Sequence, residues 1–110
     1  MNRDMLSRRL QRKKFELVIA VNGQQAIDLA NSQKPDIILM DMELPIKDGW
    51  SATREIRENC TTPIIALTAH ALPGDREKSI AAGCNDYATK PIDFNRLLSL
   101  INKHLDLAQR

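Results

Sequence analysis

Three polar residues that could act together in one site each follow an apolar run of strand length: a carboxylate, a hydroxyl and an ammonium. Asp41 comes after residues 37–40, Thr68 after 64–67 and Lys90 after 86–89. In an open parallel sheet, ligands bind outside the carboxyl ends of the strands. The spacing therefore predicts that the three side chains face one crevice, where the chemistry of the chain would take place.

Each of these residues has an ordinary interpretation when it is taken alone. An Asp after an apolar run is most often a turn or cap residue, Thr68 would be a common strand-end residue, and Lys90 a surface lysine. Only their joint occurrence with Pro45 and the Asp48-Gly49 turn favours a functional site.

Helical and strand patterns alternate along the chain. The apolar spacing predicts helices over residues 2–13, from an Asn22 cap to Pro35, over about 48–58, over 75–82 and from an Asp93 cap onward. It predicts strands over 15–21, up to Met40, over 63–67 and over 86–89. Gly83 stands where a left-handed helix C-cap is expected, and Trp50, Ala52 and Ile56 are expected to be buried.

Such alternation is typical of parallel strands joined by right-handed crossovers, with helices on both faces. The sequence therefore predicts a doubly wound α/β fold. The order is unusual in one respect, because it begins with a helix where a strand normally comes first.

The bulk composition limits the function classes. The 110 residues suffice for one small domain, and we take residues 1–110 as that domain. A formal net charge of +2 does not call for nucleic acid, and no helix pair is typical of a helix-turn-helix. The basic cluster within residues 3–14 is interpreted as the solvated face of the first helix, with a patch for nucleic acid or an acidic partner as the alternative.

Targeting and cysteine signals are absent from the sequence pattern. Cys60 and Cys84 have neither the number nor the spacing of a disulfide framework or a zinc site. No apolar stretch reaches membrane-spanning length, and the first residues lack the apolar core of a signal peptide. We expect a cytoplasmic chain that does not act at a membrane.

Three blocks in order carry a resemblance to a known family. Residues 39–49, 64–71 and 81–91 are similar to the motifs of response-regulator receiver domains, the phosphoacceptor modules of two-component signalling. The resemblance covers essentially the whole chain. The motifs are similar to those of receivers in hybrid histidine kinases and of stand-alone relay receivers. The resemblance implies a flavodoxin-like receiver fold and a signalling module rather than an enzyme.

The resemblance also implies roles for individual residues. Asp41 would accept a phosphoryl group from a histidine kinase or a histidine phosphotransfer protein, and Lys90 would pair with the phosphoryl oxygens. Thr68 would bind a phosphoryl oxygen, and Tyr87 would act after it as the second switch residue. Mg²⁺ would be held by the Asp41 carboxylate and by the backbone carbonyl of Glu43.

The resemblance further implies that a strand is missing. Family members begin with a central strand that ends in an acidic pair, and this chain matches the family only from the first helix after that strand onward. We therefore expect an N-terminally truncated receiver with weakened Mg²⁺ binding. The gap is expected to weaken the monomer, to close by direct pairing of the flanking strands, or to be filled by another chain. A homodimer through strand edges or the last helix is the form such pairing would take.

Two other functions compete with the phosphoacceptor. The first is a receiver-like interaction module that no longer phosphorylates, which the missing acidic pair favours. The second is a hydrolase of the haloacid-dehalogenase type, which needs a second Asp two residues after the first and a Thr two residues beyond that. Glu43 and Pro45 occupy those positions, so the sequence disfavours the hydrolase.

Overall fold

Three parallel strands form the central sheet in a computed structural model that describes residues 3–69 and 73–108. The strands are β1 (Ile38–Asp41), β2 (Ile64–Thr68) and β3 (Asp86–Thr89), in the spatial order β1-β2-β3. The helices are α1 (Arg3–Arg12), α2 (Gly23–Gln33), α3 (Gly49–Arg57), α4 (Asp75–Ala82) and α5 (Phe94–Ala108). Both strand pairs are parallel, as the alternating pattern predicts.

The middle strand, β2, divides the core into two halves. All five of its residues are buried, and successive side chains of a strand point to opposite faces. Ile64 and Ala66 pack in one cluster with residues of α2 and α3, whereas Ile65 and Leu67 pack in another with residues of α1 and α5. Helices therefore cover both faces of the sheet, which confirms the doubly wound α/β fold.

The helix ends agree with the local signals of the sequence. Asn22 Oδ1 accepts a hydrogen bond from the Gln25 N–H at 2.8 Å, and Asp48 Oδ1 accepts one from the Ser51 N–H at 2.8 Å. Gly83 ends α4 with a φ of 118°, a left-handed conformation that glycine adopts without strain. The Asn22 and Gly83 boundaries confirm the predicted caps, and the Asp48 cap lies at the predicted start of α3.

The prediction of a buried strand over residues 15–21 is wrong. This segment runs without strand structure, and Val18 and Ile19 are 55% and 48% exposed. A strand needs a hydrogen-bonded neighbour, and residues 16–20 donate no backbone hydrogen bond to any residue that the structure describes. The expected closure by direct pairing of this segment with β1 does not occur either, since β1 pairs with β2 alone among the described strands.

Trp50 is less buried than the sequence predicts. The side chain is half-buried at the edge of α3, although Ala52 and Ile56 are fully buried as expected. The indole N–H donates to Ser79 Oγ at 3.2 Å, and Lys78 Nζ lies 3.9 Å from the ring centroid. Trp50 thus joins α3 to α4 at the rim, where an indole can bond to polar groups.

Hydrogen exchange tests the correction at residues 15–21. We expect the amides of residues 16–20 to exchange several orders of magnitude faster than those of β2, because only the β2 amides are held in a ladder between two strands. The measurement is residue-resolved NMR exchange in the monomer. Protection of residues 16–20 comparable to that of β2 would contradict the unpaired segment.

Candidate functional site

The carboxyl ends of the three strands bring the predicted residues to one edge of the sheet. Asp41 ends β1 and Thr68 ends β2, while Lys90 comes directly after β3. The ladder extends past the strand ends, because the Met42 N–H donates to Leu67 O at 2.9 Å and the Lys90 N–H to Thr68 O at 2.7 Å. Backbone hydrogen bonds therefore fix the relative height of all three residues.

Lys90 lies between two carboxylates. Its Nζ is 2.9 Å from Asp41 Oδ1 and 3.3 Å from Glu43 Oε1, and all three side chains are partly exposed. Hydrogen bonds between ionised groups are stronger than neutral ones, so this arrangement holds the ammonium at the edge of the sheet. The structure thus brings Asp41 and Lys90 into direct contact.

The side chain of Glu43 is the part of the site that the sequence did not reveal. Its Oε1 accepts the Ala69 N–H at 2.7 Å, and its Oε2 accepts the Thr68 hydroxyl at 3.1 Å. The Glu43 N–H in turn donates to Asp41 Oδ1 at 2.9 Å. Thr68 is thus connected to Asp41 through Glu43. The only signal in the sequence was a second carboxylate two residues after the strand-end Asp41.

The charges around Lys90 set its pKa. Burial alone would lower the pKa of the ammonium, but the hydrogen bond and charge of Asp41, together with Glu43, outweigh burial and raise it above the usual lysine value. Stabilisation from a raised pKa is present in full below the unfolded value, about 10.4, and is lost as the pH rises through the folded value. The pair therefore contributes in full at neutral pH.

A close backbone contact supports the loop after Asp41. A Cβ atom added at Gly49 would lie 2.7 Å from both Asp41 O and Met42 Cα. Real Cβ atoms do not approach backbone atoms so closely, so the start of α3 can press against the end of β1 only because residue 49 has no side chain. Glycine at this position thus fixes where Asp41 stands relative to α3.

Tyr87, the second predicted switch residue, lies within β3 opposite Ala66. Its side chain is half-buried against the core cluster on the α2–α3 side. Desolvation, and after it the charges of Asp75, Glu43 and Glu77, raises the pKa of the phenol. His70 falls outside the described residues, and the structure describes the loop after β2 only up to Ala69 and from Pro73.

The oxygen atoms at this edge fit Mg²⁺ by type. Asp41 and Glu43 offer carboxylate oxygens, and Glu43 also offers the predicted backbone carbonyl. Mg²⁺ takes oxygen ligands and keeps several waters. The described residues contain no group of three or more His, Cys, Asp or Glu side chains placed to hold a metal ion. These oxygen atoms suit Mg²⁺ as ligands, but they provide little negative charge to balance the charge of the ion.

His104 has a structural role that the sequence did not indicate. It is buried in α5, and its Nε2 lies 3.0 Å from Asp86 Oδ2 at the start of β3. Desolvation raises the pKa of Asp86, but the hydrogen bond from His104 and the Tyr87 N–H outweigh it, so that the net shift is downward. The contact joins the last helix to the sheet at the end opposite the candidate site.

Among the described helices, none is long and apolar enough to cross a membrane.

Comparison with known proteins gives one consistent result. A family model described as the response regulator receiver domain matches residues 1–102. The chain is 40% identical over 115 aligned residues to hybrid signal transduction histidine kinase I of Dictyostelium discoideum. The match covers 96% of this chain and 7% of that kinase, so the chain corresponds to a small part of its relative.

Solved structures agree with the fold. The receiver domain of the sensor histidine kinase PA1611 from Pseudomonas aeruginosa, which holds a magnesium ion in its active-site cleft, is 41% identical. It superposes with a TM-score of 0.88 over 96% of this chain and 88% of that one. Chemotaxis protein CheY4 of Vibrio cholerae superposes with a TM-score of 0.85 at 27% identity, over 93% and 88% of the two chains.

The electrostatics of Lys90 can be tested directly. We expect its pKa to lie above the ordinary lysine value and to fall in an Asp41→Asn variant, because the largest favourable contribution comes from that carboxylate. The measurement is an NMR titration of the Lys90 Cε resonance, with Asp36→Asn as the control at an exposed acid. A pKa that is the same in the Asp41→Asn variant and the wild type would contradict the ion pair.

Proposed function

This chain belongs to the response regulator receiver domain family, and from that premise we propose that it is the phosphoacceptor module of a two-component phosphorelay. It would receive a phosphoryl group on Asp41 from a histidine kinase or a histidine phosphotransfer protein, as an acceptor and not as an enzyme. The observation that carries the proposal is the 2.9 Å contact between Lys90 Nζ and Asp41 Oδ1 at the carboxyl ends of the strands.

The two oxygens of Asp41 are differently engaged. Both hydrogen bonds that Asp41 accepts from described residues, from the Glu43 N–H and from Lys90 Nζ, reach Oδ1. Oδ2 is therefore the oxygen left to act as the nucleophile. In the proposed step, a bond forms between Oδ2 and phosphorus while the phosphorus–nitrogen bond of the donor phosphohistidine breaks. The imidazole leaves with the electron pair, and the product is an aspartyl phosphate.

Positioning and charge account for most of phosphoryl-transfer catalysis. Lys90 supplies a fixed cation next to the acceptor, where charge on the phosphoryl oxygens would be neutralised. The Thr68 hydroxyl and the Ala69 N–H stand at the end of the neighbouring strand and could donate to those oxygens. The backbone ladder around β2 places Thr68 and Lys90, and Ala69 directly follows the last residue of β2.

Mg²⁺ is the cofactor we propose for this step. Asp41 and the Glu43 backbone carbonyl would hold it, and when bound the ion would supply further neutralisation of the phosphoryl charge. Because few carboxylates stand at this edge of the described chain, we propose that its affinity is lower than in receivers with a full acidic pair. The PA1611 receiver domain, which holds this ion in its cleft, supports the assignment by similarity.

The proposed switch residues indicate an output surface. Thr68 would move toward the phosphoryl group, Tyr87 would change rotamer, and the surface of α4 and β3 would change with them. A local charge change that biases an element with two arrangements is a common form of signalling switch. We further propose a cytoplasmic location, protein partners rather than nucleic acid or membrane, and dimer formation through strand edges or α5 as an additional state.

One observation favours the alternative, a receiver-like interaction module that does not phosphorylate. Glu43 already accepts hydrogen bonds from the donors that a phosphoryl group would need. The exposed apolar side chains of Val18, Ile19 and Val21 would give such a module a surface for protein partners. The two functions differ in whether Asp41 can be phosphorylated.

Intact mass spectrometry separates the two functions. After incubation with acetyl phosphate and Mg²⁺, we expect one phosphoryl adduct on the wild-type chain and none on Asp41→Asn. Asp36→Asn makes the same chemical change at an exposed position and should retain the adduct. The adduct should be lost on treatment with hydroxylamine, because acyl phosphates react with it.

Circular dichroism should show that all three proteins are folded before this comparison is made. Folded wild-type protein without an adduct would contradict the phosphoacceptor function and favour the interaction module. An adduct that persists in Asp41→Asn would contradict Asp41 as the acceptor.

A further inference from the structure

We propose that the Glu43 side chain is an internal stand-in for the phosphoryl group, which occupies the phosphoryl-oxygen donors in the resting state and must leave when Asp41 is phosphorylated. The inference rests on the proposed function and adds a regulatory element to the same site. It concerns the side chain of Glu43, whereas the proposed metal contact of this residue uses its backbone carbonyl.

Three donors of different kinds converge on this carboxylate. The Ala69 N–H reaches Oε1 at 2.7 Å, the Thr68 hydroxyl reaches Oε2 at 3.1 Å, and Lys90 Nζ reaches Oε1 at 3.3 Å. A backbone amide, a hydroxyl and an ammonium are the groups that bind anionic oxygens most readily. They come from the ends of two different strands, so Glu43 joins β2 to the residue directly after β3.

All three donors lie at the same edge of the sheet as Asp41, from which an aspartyl phosphate would project. Lys90 contacts Asp41 and Glu43 at once, so the acceptor and the stand-in share a single cation. A phosphoryl group brings three strongly accepting oxygens and additional negative charge to this point. It would compete with the Glu43 carboxylate for the Thr68 and Ala69 donors and for the charge of Lys90, and the two anions would repel each other.

Glu43 is free to withdraw once its donors are taken. Its side chain is 29% exposed, so rotation toward solvent needs no rearrangement of the core. The resting site is therefore closed by an anion of its own, and phosphorylation exchanges one anion for another. This exchange would determine how readily the site responds to phosphorylation, because Glu43 already binds the Ala69 N–H in the absence of phosphate.

Two substitutions at this position separate occupancy from charge. Glu43→Gln removes the charge and keeps the length of the side chain. Glu43→Asp keeps the charge but shortens the side chain by one methylene, so the carboxylate can no longer reach Ala69, Thr68 and Lys90 together. Glu58→Gln removes the same charge at the exposed end of α3 and serves as the matched control.

The initial rate of adduct formation with acetyl phosphate and Mg²⁺ is the first readout. We expect a rise of about tenfold in both Glu43 variants, equivalent to about 1.4 kcal/mol, and no change in Glu58→Gln. Equal rates in all four proteins would overturn the inference while leaving the phosphoacceptor function in place. A rise in Glu43→Gln alone would assign the effect to charge repulsion and also overturn occupancy.

No adduct in the wild type or in either Glu43 variant would instead defeat the proposed function, and the inference with it. The two failures therefore give different results.

The Ala69 amide gives a second readout that needs no phosphodonor. A short hydrogen bond to a carboxylate moves an amide proton downfield, so we expect the Ala69 resonance to shift upfield in Glu43→Asp relative to the wild type. Glu58→Gln should leave it unchanged. An Ala69 resonance that is identical in wild type and Glu43→Asp would show that the carboxylate does not hold this donor, and would overturn the inference.

Discussion

The hydrogen-bond ladder on both sides of β2 is the constraint on which the rest of the molecule depends. β2 is fully buried and pairs in parallel with β1 and with β3, so its register sets the height of both neighbours. A buried backbone group that lost its partner would cost about 1–3 kcal/mol, which makes a shift in register expensive. The ladder places Asp41, Thr68 and Lys90 at one edge before any of their side chains interact.

At the edge of the sheet, one lysine side chain contacts two carboxylates. Among the described residues, Lys90 is the one cation that contacts the Asp41 and Glu43 carboxylates. Backbone and hydroxyl donors from the end of β2 satisfy the rest of Glu43. In the resting site each carboxylate has a donor, and under the proposed function a phosphoryl group would compete for these donors.

The sequence predicted well the features that depend on neighbouring residues. It predicted poorly the contacts between residues that are distant in the chain. The Asn22 cap and the Gly83 terminus depend on residues within one turn, so the sequence pattern was enough to locate them. The strand expected at residues 15–21 depended on a neighbour, and an apolar pattern contains no information on whether that neighbour is present. The donors of Glu43 come from residues 25 to 47 positions away, so only the folded chain could show them.

The candidate site assembles only when the chain is folded. Its acceptor and its cation stand 49 residues apart in the chain and meet only when all three strands are paired. A copy with one strand detached has no assembled centre and could not carry out the proposed transfer. Incomplete or misfolded copies therefore lack the pairing of Asp41 with Lys90, and the centre exists only where the whole sheet has formed.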